Sequence, residues 1–76
     1  MKEILSILND IRPEADFSNS NNFIEEGLLD SFDVVTLVTE LDRTFAVSID
    51  GMDIVPENFK NVETIKALLL KKGVVL

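Results

Sequence analysis

Apolar residues at positions 4, 5, 7, 8 and 11 open the chain, and the 4-8-11 spacing lies along one helical face. A helix is therefore predicted over Lys2 to Ile11. Pro13 makes Arg12 a poor helical residue and closes the segment. From Glu14 to Leu29 the periodicity breaks up. Ser18-Asn19-Ser20-Asn21-Asn22 reads as loop, and Gly27 lies near the end of the stretch. Phe17, Phe23, Ile24, Leu28 and Leu29 are scattered through it and can pin it to a core. A connection of about sixteen residues is long for a compact domain, and such loops are usually functional or disordered.

The clearest helix runs from Ser31 to Phe45. Positions 34, 37, 38, 41 and 45 form a continuous apolar stripe, while Phe32, Val35 and Thr39 fall toward a second side. Asp30 is a good N-cap, because its carboxylate can accept from an unpaired first-turn N–H. Asp33 adds negative charge where the helix dipole favours it. The many β-branched residues weaken helix propensity, so a strand over Val34 to Val38 is the competing assignment. The length of the pattern and the cap favour helix.

Val47-Ser48-Ile49 alternates like a short strand but has no evident partner, so Ala46 to Val55 is expected as an extended connection. Pro56 suits the first position of a short helix, with Phe59 as its inward anchor. Asn61 can cap a last helix carrying Val62, Ile65, Leu68 and Leu69 at helical spacing, and Gly73 stops it. The expected fold is all-α: a small four-helix bundle of three main helices and a short third one, with a long first loop. One domain is expected over residues 1–76, with no internal repeat.

Composition narrows the chemistry. Hydrophobic residues make up 46% of the 76, too many for a disordered tail. No apolar run approaches the roughly 18 residues of a membrane span. The opening Met1-Lys2-Glu3-Ile4 does not look like a secretory signal, so the cytoplasm is the expected location. There is no cysteine and no histidine, which removes thiolate metal sites, cysteine nucleophiles and the commonest general base. A chain this short also has little room for an enclosed active site. An enzyme is the least expected class.

The formal charge of −7 is unevenly placed, with eleven acidic residues against one basic residue, Arg43, between Glu14 and Glu57. That middle repels nucleic acid phosphates; it either serves solubility alone or favours partners with basic patches. Asp50-Gly51-Met52-Asp53 sets acids near a glycine, but the twelve-residue spacing of a calcium loop is missing, and no metal site is expected.

Gly27-Leu28-Leu29-Asp30-Ser31-Phe32 places a serine at the start of a helix, after a glycine-bearing loop. First-turn N–H groups are unpaired and the dipole is positive there, so a phosphodiester on Ser31 would be electrostatically favoured. No histidine or neighbouring lysine activates Ser31 as a nucleophile of its own. Asp and Ser are also both preferred caps, and the pair taken alone reads as a cap.

The longer run, Gly27-Leu28-Leu29-Asp30-Ser31-Phe32-Asp33 leading into Val35, Leu37, Val38, Glu40, Leu41, Asp42 and Phe45, resembles the acyl carrier protein family around its phosphopantetheine attachment signature. Pro56-Glu57-Asn58-Phe59 and Asn61-Val62-Glu63-Thr64-Ile65 are similar to the family's short third helix and the start of its fourth. The resemblance covers nearly everything from Phe23 to Lys72. It implies that Ser31 takes 4′-phosphopantetheine from coenzyme A, installed by a phosphopantetheinyl transferase with magnesium. Asp30 would be the aspartate beside the attachment serine. Phe32, Asp33, Val35, Thr39, Glu40, Asp42 and Arg43 would lie where partner enzymes dock. Leu37, Leu41, Phe59, Ile65 and Leu68 would be core and would border a cleft for a short acyl chain.

The protein so implied is a monomeric carrier, not an enzyme. It would hold an acyl or aminoacyl thioester and present it to a loading ligase and to acyl-processing enzymes. Leu28-Leu29 before Asp30-Ser31 resembles specialised discrete carriers, D-alanyl carriers among them, and Thr36, Thr39, Arg43 and Thr44 dilute the acidity usual in fatty-acid carriers. A dedicated pathway is therefore expected. An unmodified acidic helical adaptor is the alternative of another class.

Overall fold

A computed structural model describes residues 2–75. Three helices are present among them: α1 (Lys2–Ile11), α2 (Ser31–Phe45) and α3 (Val62–Lys71). Single 3₁₀ turns stand at Phe17–Asn19, Gly51–Asp53 and Pro56–Asn58, and there is no strand among the described residues. The fold is all-α, as the periodicity predicts. The helix also wins at Val34 to Val38, where β-branched residues sit on a face that is buried at both ends of that run.

α1 packs against both α2 and α3. It contributes Ile4, Ile7 and Leu8 to the core, against Val34, Leu37, Val38 and Leu41 of α2 and Ile65, Leu68 and Leu69 of α3. The connections supply the rest: Phe17, Phe23, Leu29, Ile49 and Phe59 are all buried. Each such side chain contributes about 1.5–3 kcal/mol through removal from water. This matters in a chain of this size, where the core is small.

The long first loop is pinned rather than loose. The rings of Phe17 and Phe23 meet edge to face, 5.0 Å apart at 86°. The Phe23 N–H donates to the Lys60 carbonyl, and Asn61 Nδ2 donates to the Asn21 carbonyl at 3.0 Å. The Phe23 carbonyl in turn accepts from Leu28 N–H (2.8 Å) and Leu29 N–H (3.1 Å). That return is made possible by Gly27, whose φ of 74° lies in the left-handed region. The loop thus delivers Leu29 into the core and Asp30-Ser31 to the start of α2 in a fixed place.

The short helix expected at Pro56 is one 3₁₀ turn. Val55 before it is extended, and Phe59 after it leaves the helical region to turn its ring into the core, so no further turn can form. Ala46 to Val55 is not one extended run: Ala46 is left-handed, Asp50 and Val55 are extended, and the Gly51–Asp53 turn stands between those two. Lys72 ties this segment to the end of α3, with its ammonium 3.2 Å from Asp50 Oδ2 and also paired with Asp53.

Candidate functional site

α2 begins in a reciprocal cap. Asp30 has extended backbone, its Oδ1 accepts from Asp33 N–H at 2.8 Å, and Asp33 Oδ2 accepts from Asp30 N–H at 3.2 Å. Two of the unpaired first-turn donors are thereby satisfied, worth about 0.5–2 kcal/mol for the cap residue alone. The cap assigned to Asp30 from sequence is therefore present. Ser31 is the first helical residue and its side chain is exposed. Asp30 makes the capping bonds, so the Ser31 hydroxyl is not needed for them.

A residue just past α1 braces this cap. Arg12 Nε donates to Asp33 Oδ2 at 2.9 Å, and the same guanidinium lies 3.5 Å from Asp30 Oδ2 and 3.6 Å from Glu14 Oε1. Partial burial pushes the Asp33 carboxyl up. The Asp30 N–H and the Arg12 guanidinium together outweigh that and hold it below the usual carboxylate value. Arg12 is held above its ordinary value, chiefly by its hydrogen bond to Asp33. Nothing in the sequence spacing signals this pairing across 21 residues.

Beside Ser31 opens an apolar groove of about 180 Å³, floored by Leu29 and Val34 and walled by Ile24, Ile54, Val55 and Pro56. Its position follows from the two connections: the first loop supplies Ile24 and Leu29, and the segment before the Pro56 turn supplies the opposite wall. Sequence reading left Ile54, Val55 and Pro56 unassigned to any site.

The other α2 residues of interest divide by face. Phe32, Val35, Thr39 and Arg43 are exposed and lie on one side of the helix. Glu40 and Arg43 form an ion pair one turn apart. Asp42 is half-buried, and its Oδ1 accepts from Ile49 N–H at 3.1 Å. Asp33, engaged by Arg12, has only 15% of its side chain exposed. Of the five residues expected as core, Leu37, Leu41, Phe59, Ile65 and Leu68 are all buried.

An exposed hydroxyl at a helix start, with open space beside it, leaves room for a covalently attached group with a phosphate at its base. Comparison with known proteins agrees: the profile of the family described as phosphopantetheine attachment site matches residues 2–69. The chain belongs to that family, and its prosthetic group is a covalently attached 4′-phosphopantetheine. No curated protein and no solved structure gives a match to the chain. Domains of this family are generally carriers without catalysis of their own, served by phosphopantetheinyl transferases and acyl-processing enzymes. No helix among the described residues is long and apolar enough to cross a membrane.

Proposed function

We propose that Ser31 bears the arm, and that residues 1–76 act as one monomeric cytoplasmic unit presenting an acyl or aminoacyl thioester to the enzymes of a dedicated pathway. The observation that carries this reading is the exposed Ser31 hydroxyl at the first position of α2, next to the Ile24–Val55 groove and not committed to the cap. The Ser31 oxygen forms a new bond to phosphorus as the pyrophosphate of coenzyme A breaks. Adenosine 3′,5′-bisphosphate leaves, and the hydroxyl proton passes to the transferase or solvent. The α2 N-terminus favours the resulting phosphodiester anion.

The arm ends in a thiol, which supplies the sulfur chemistry that this cysteine-free sequence lacks. The protein's own part is position: tethering raises the effective concentration of the cargo at each partner's active site. The partner face would be the exposed side of α2 carrying Phe32, Val35, Thr39 and Arg43, with Asp33, Glu40 and Asp42 at its edges. Asp30 would sit at the attachment point and orient the approaching transferase. The cargo class is decided by the neighbouring genes: an adenylating ligase indicates amino or aryl acids, and a ketosynthase indicates chain extension.

The test is intact-mass spectrometry after coexpression with a phosphopantetheinyl transferase. Wild type should gain one phosphopantetheine mass and Ser31→Ala none. An unmodified wild type beside a competent transferase, or a modified Ser31→Ala, would sink the assignment; the former would favour the unmodified adaptor.

A further inference from the structure

We infer that Arg12 is a positioning residue for the arm: its guanidinium holds Asp30 and Asp33 in the cap and so keeps the start of α2 folded once Ser31 carries the phosphodiester. The inference rests on the assignment of Ser31 above. Arg12 stands on fixed backbone, its N–H donating to the Leu8 carbonyl at 2.9 Å and its own carbonyl accepting from Ala15 N–H at 3.1 Å. From there one planar group spans three carboxylates. Its Nε and a terminal nitrogen each lie 2.9 Å from Asp33 Oδ2, and Asp30 Oδ2 and Glu14 Oε1 follow at 3.5 and 3.6 Å. Among the described residues, Arg12 is the one cation paired with either residue of the cap.

Ion pairing offsets charge without removing it. One guanidinium among three carboxylates leaves this cluster at −2. The single negative charge of a phosphodiester, on the residue next to Asp30, brings it to −3, and without Arg12 it would stand at −4. The positive end of the helix favours the new anion. The Asp30 and Asp33 carboxylates at the same end oppose it, and these are the side chains that make the cap. Repulsion from the arm therefore acts on the very bonds that start α2. Before modification the demand on Arg12 is small, because Arg12 and Asp30 are 36% and 62% exposed and water screens their pairing. Arg12 thus contributes little to the unmodified chain and more to the arm-bearing one.

The experiment compares urea unfolding of the unmodified and arm-bearing forms of wild type, Arg12→Gln and Arg12→Lys at 50 mM NaCl, with the arm confirmed by intact mass. Arg12→Gln should lower the folding constant of the unmodified protein by no more than about fivefold. It should lower that of the arm-bearing protein by about three- to tenfold beyond this, the effect of one unit charge close to others near a wetted surface. The added loss should fall below about threefold in Arg12→Lys, which keeps the charge, and in 500 mM NaCl, which screens it. Hydrogen exchange at the Asp33 and Val34 N–H groups, both bonded to Asp30, should quicken by a similar factor in arm-bearing Arg12→Gln and so place the effect at the helix start. An equal loss in both forms, or an added loss that neither lysine nor salt relieves, would overturn the positioning role while leaving the Ser31 assignment intact. Failure of wild type to accept any arm would overturn both.

Discussion

Both α2 and α3 end in the same way, but with different residues at the decisive position. At the end of α3, Gly73 has φ 91°, Val74 N–H donates back to the Leu69 carbonyl at 3.0 Å and Gly73 N–H to Leu70 at 3.1 Å. At the end of α2, Ala46 takes the equivalent place with φ 53° and ψ 48°, and Val47 N–H donates to the Asp42 carbonyl at 3.1 Å. Glycine is the usual residue in this left-handed position, because a Cβ there costs about 1–2 kcal/mol. Replacing Ala46 by Gly removes that cost. It restores about 0.4–1 kcal/mol of unfolded-state entropy in the opposite direction. Ala46 is exposed, so no packing is lost. The balance is a gain of about 0.5–1 kcal/mol, or about 2–8 °C in Tm for a domain of this size. Thermal unfolding followed by far-UV circular dichroism at pH 7 measures it directly. Ala46→Val, β-branched in the same position, should move Tm the other way. The sign is the decisive feature: a glycine placed inside a continuing helix lowers stability by about 0.5–1 kcal/mol. A lower Tm for Ala46→Gly would therefore refute the left-handed terminus.

Two further outcomes test the rest of the scaffold. Asn61 Oδ1 accepts from Thr64 N–H at 2.9 Å and its Nδ2 donates to the Asn21 carbonyl, so Asn61→Ala should cost about 1–3 kcal/mol in urea unfolding and leave addition of the arm possible. The Asp33 carboxyl is held below its ordinary value, against the effect of its burial, by the Asp30 N–H and Arg12, and the Asp53 carboxyl is lowered chiefly by Lys72. Carboxyls lowered in the folded state stabilise it fully above about pH 4, their unfolded value, and that contribution is lost as pH falls through the folded value. The urea midpoint should therefore be flat from pH 7 to 5 and drop below 4. Asp33→Asn should be less stable than wild type at pH 7 and converge on it near pH 2. An equal deficit at both pH values would show that Asp33 contributes through shape alone.

The helices were legible because their information is local. The stripe of Val34, Leu37, Val38 and Leu41 and the caps at Asp30 and Asn61 all act within a few residues of themselves, and each is found where the pattern places it. The Pro56 segment was legible only in part. Its proline and Phe59 were read correctly as start and anchor, but the burial of the Phe59 ring ends the turn after Asn58, and that is decided by tertiary packing. The first loop shows the same limit. Its length pointed to function or disorder, whereas its order comes from Phe23, whose backbone bonds reach Lys60, Leu28 and Leu29.

The site divides along the same line. Asp30 and Ser31 stand at the start of α2 as the local cap pattern predicts, whereas the candidacy of Ser31 rests on the longer run through Phe45 and its family resemblance. The electrostatic character of α2 could not be read in this way, because it depends on pairs distant in sequence. Counting charges gives a chain of −7 and an acidic middle, which reads equally as solubility or as attraction for basic partners. The fold redistributes that charge. Arg12, just past α1, reaches Asp30 and Asp33, Lys72 comes from the end of α3 to Asp50 and Asp53, and Arg43 turns back to Glu40. Three of the chain's seven basic residues are thus spent on five of its acids around α2 and the connection that follows it. The outward residues of α2 include Phe32 and Val35 together with Thr36, Thr39, Arg43 and Thr44. The net charge bears on solubility and encounter, but where it can act is set by these pairs, which no run of neighbouring residues encodes.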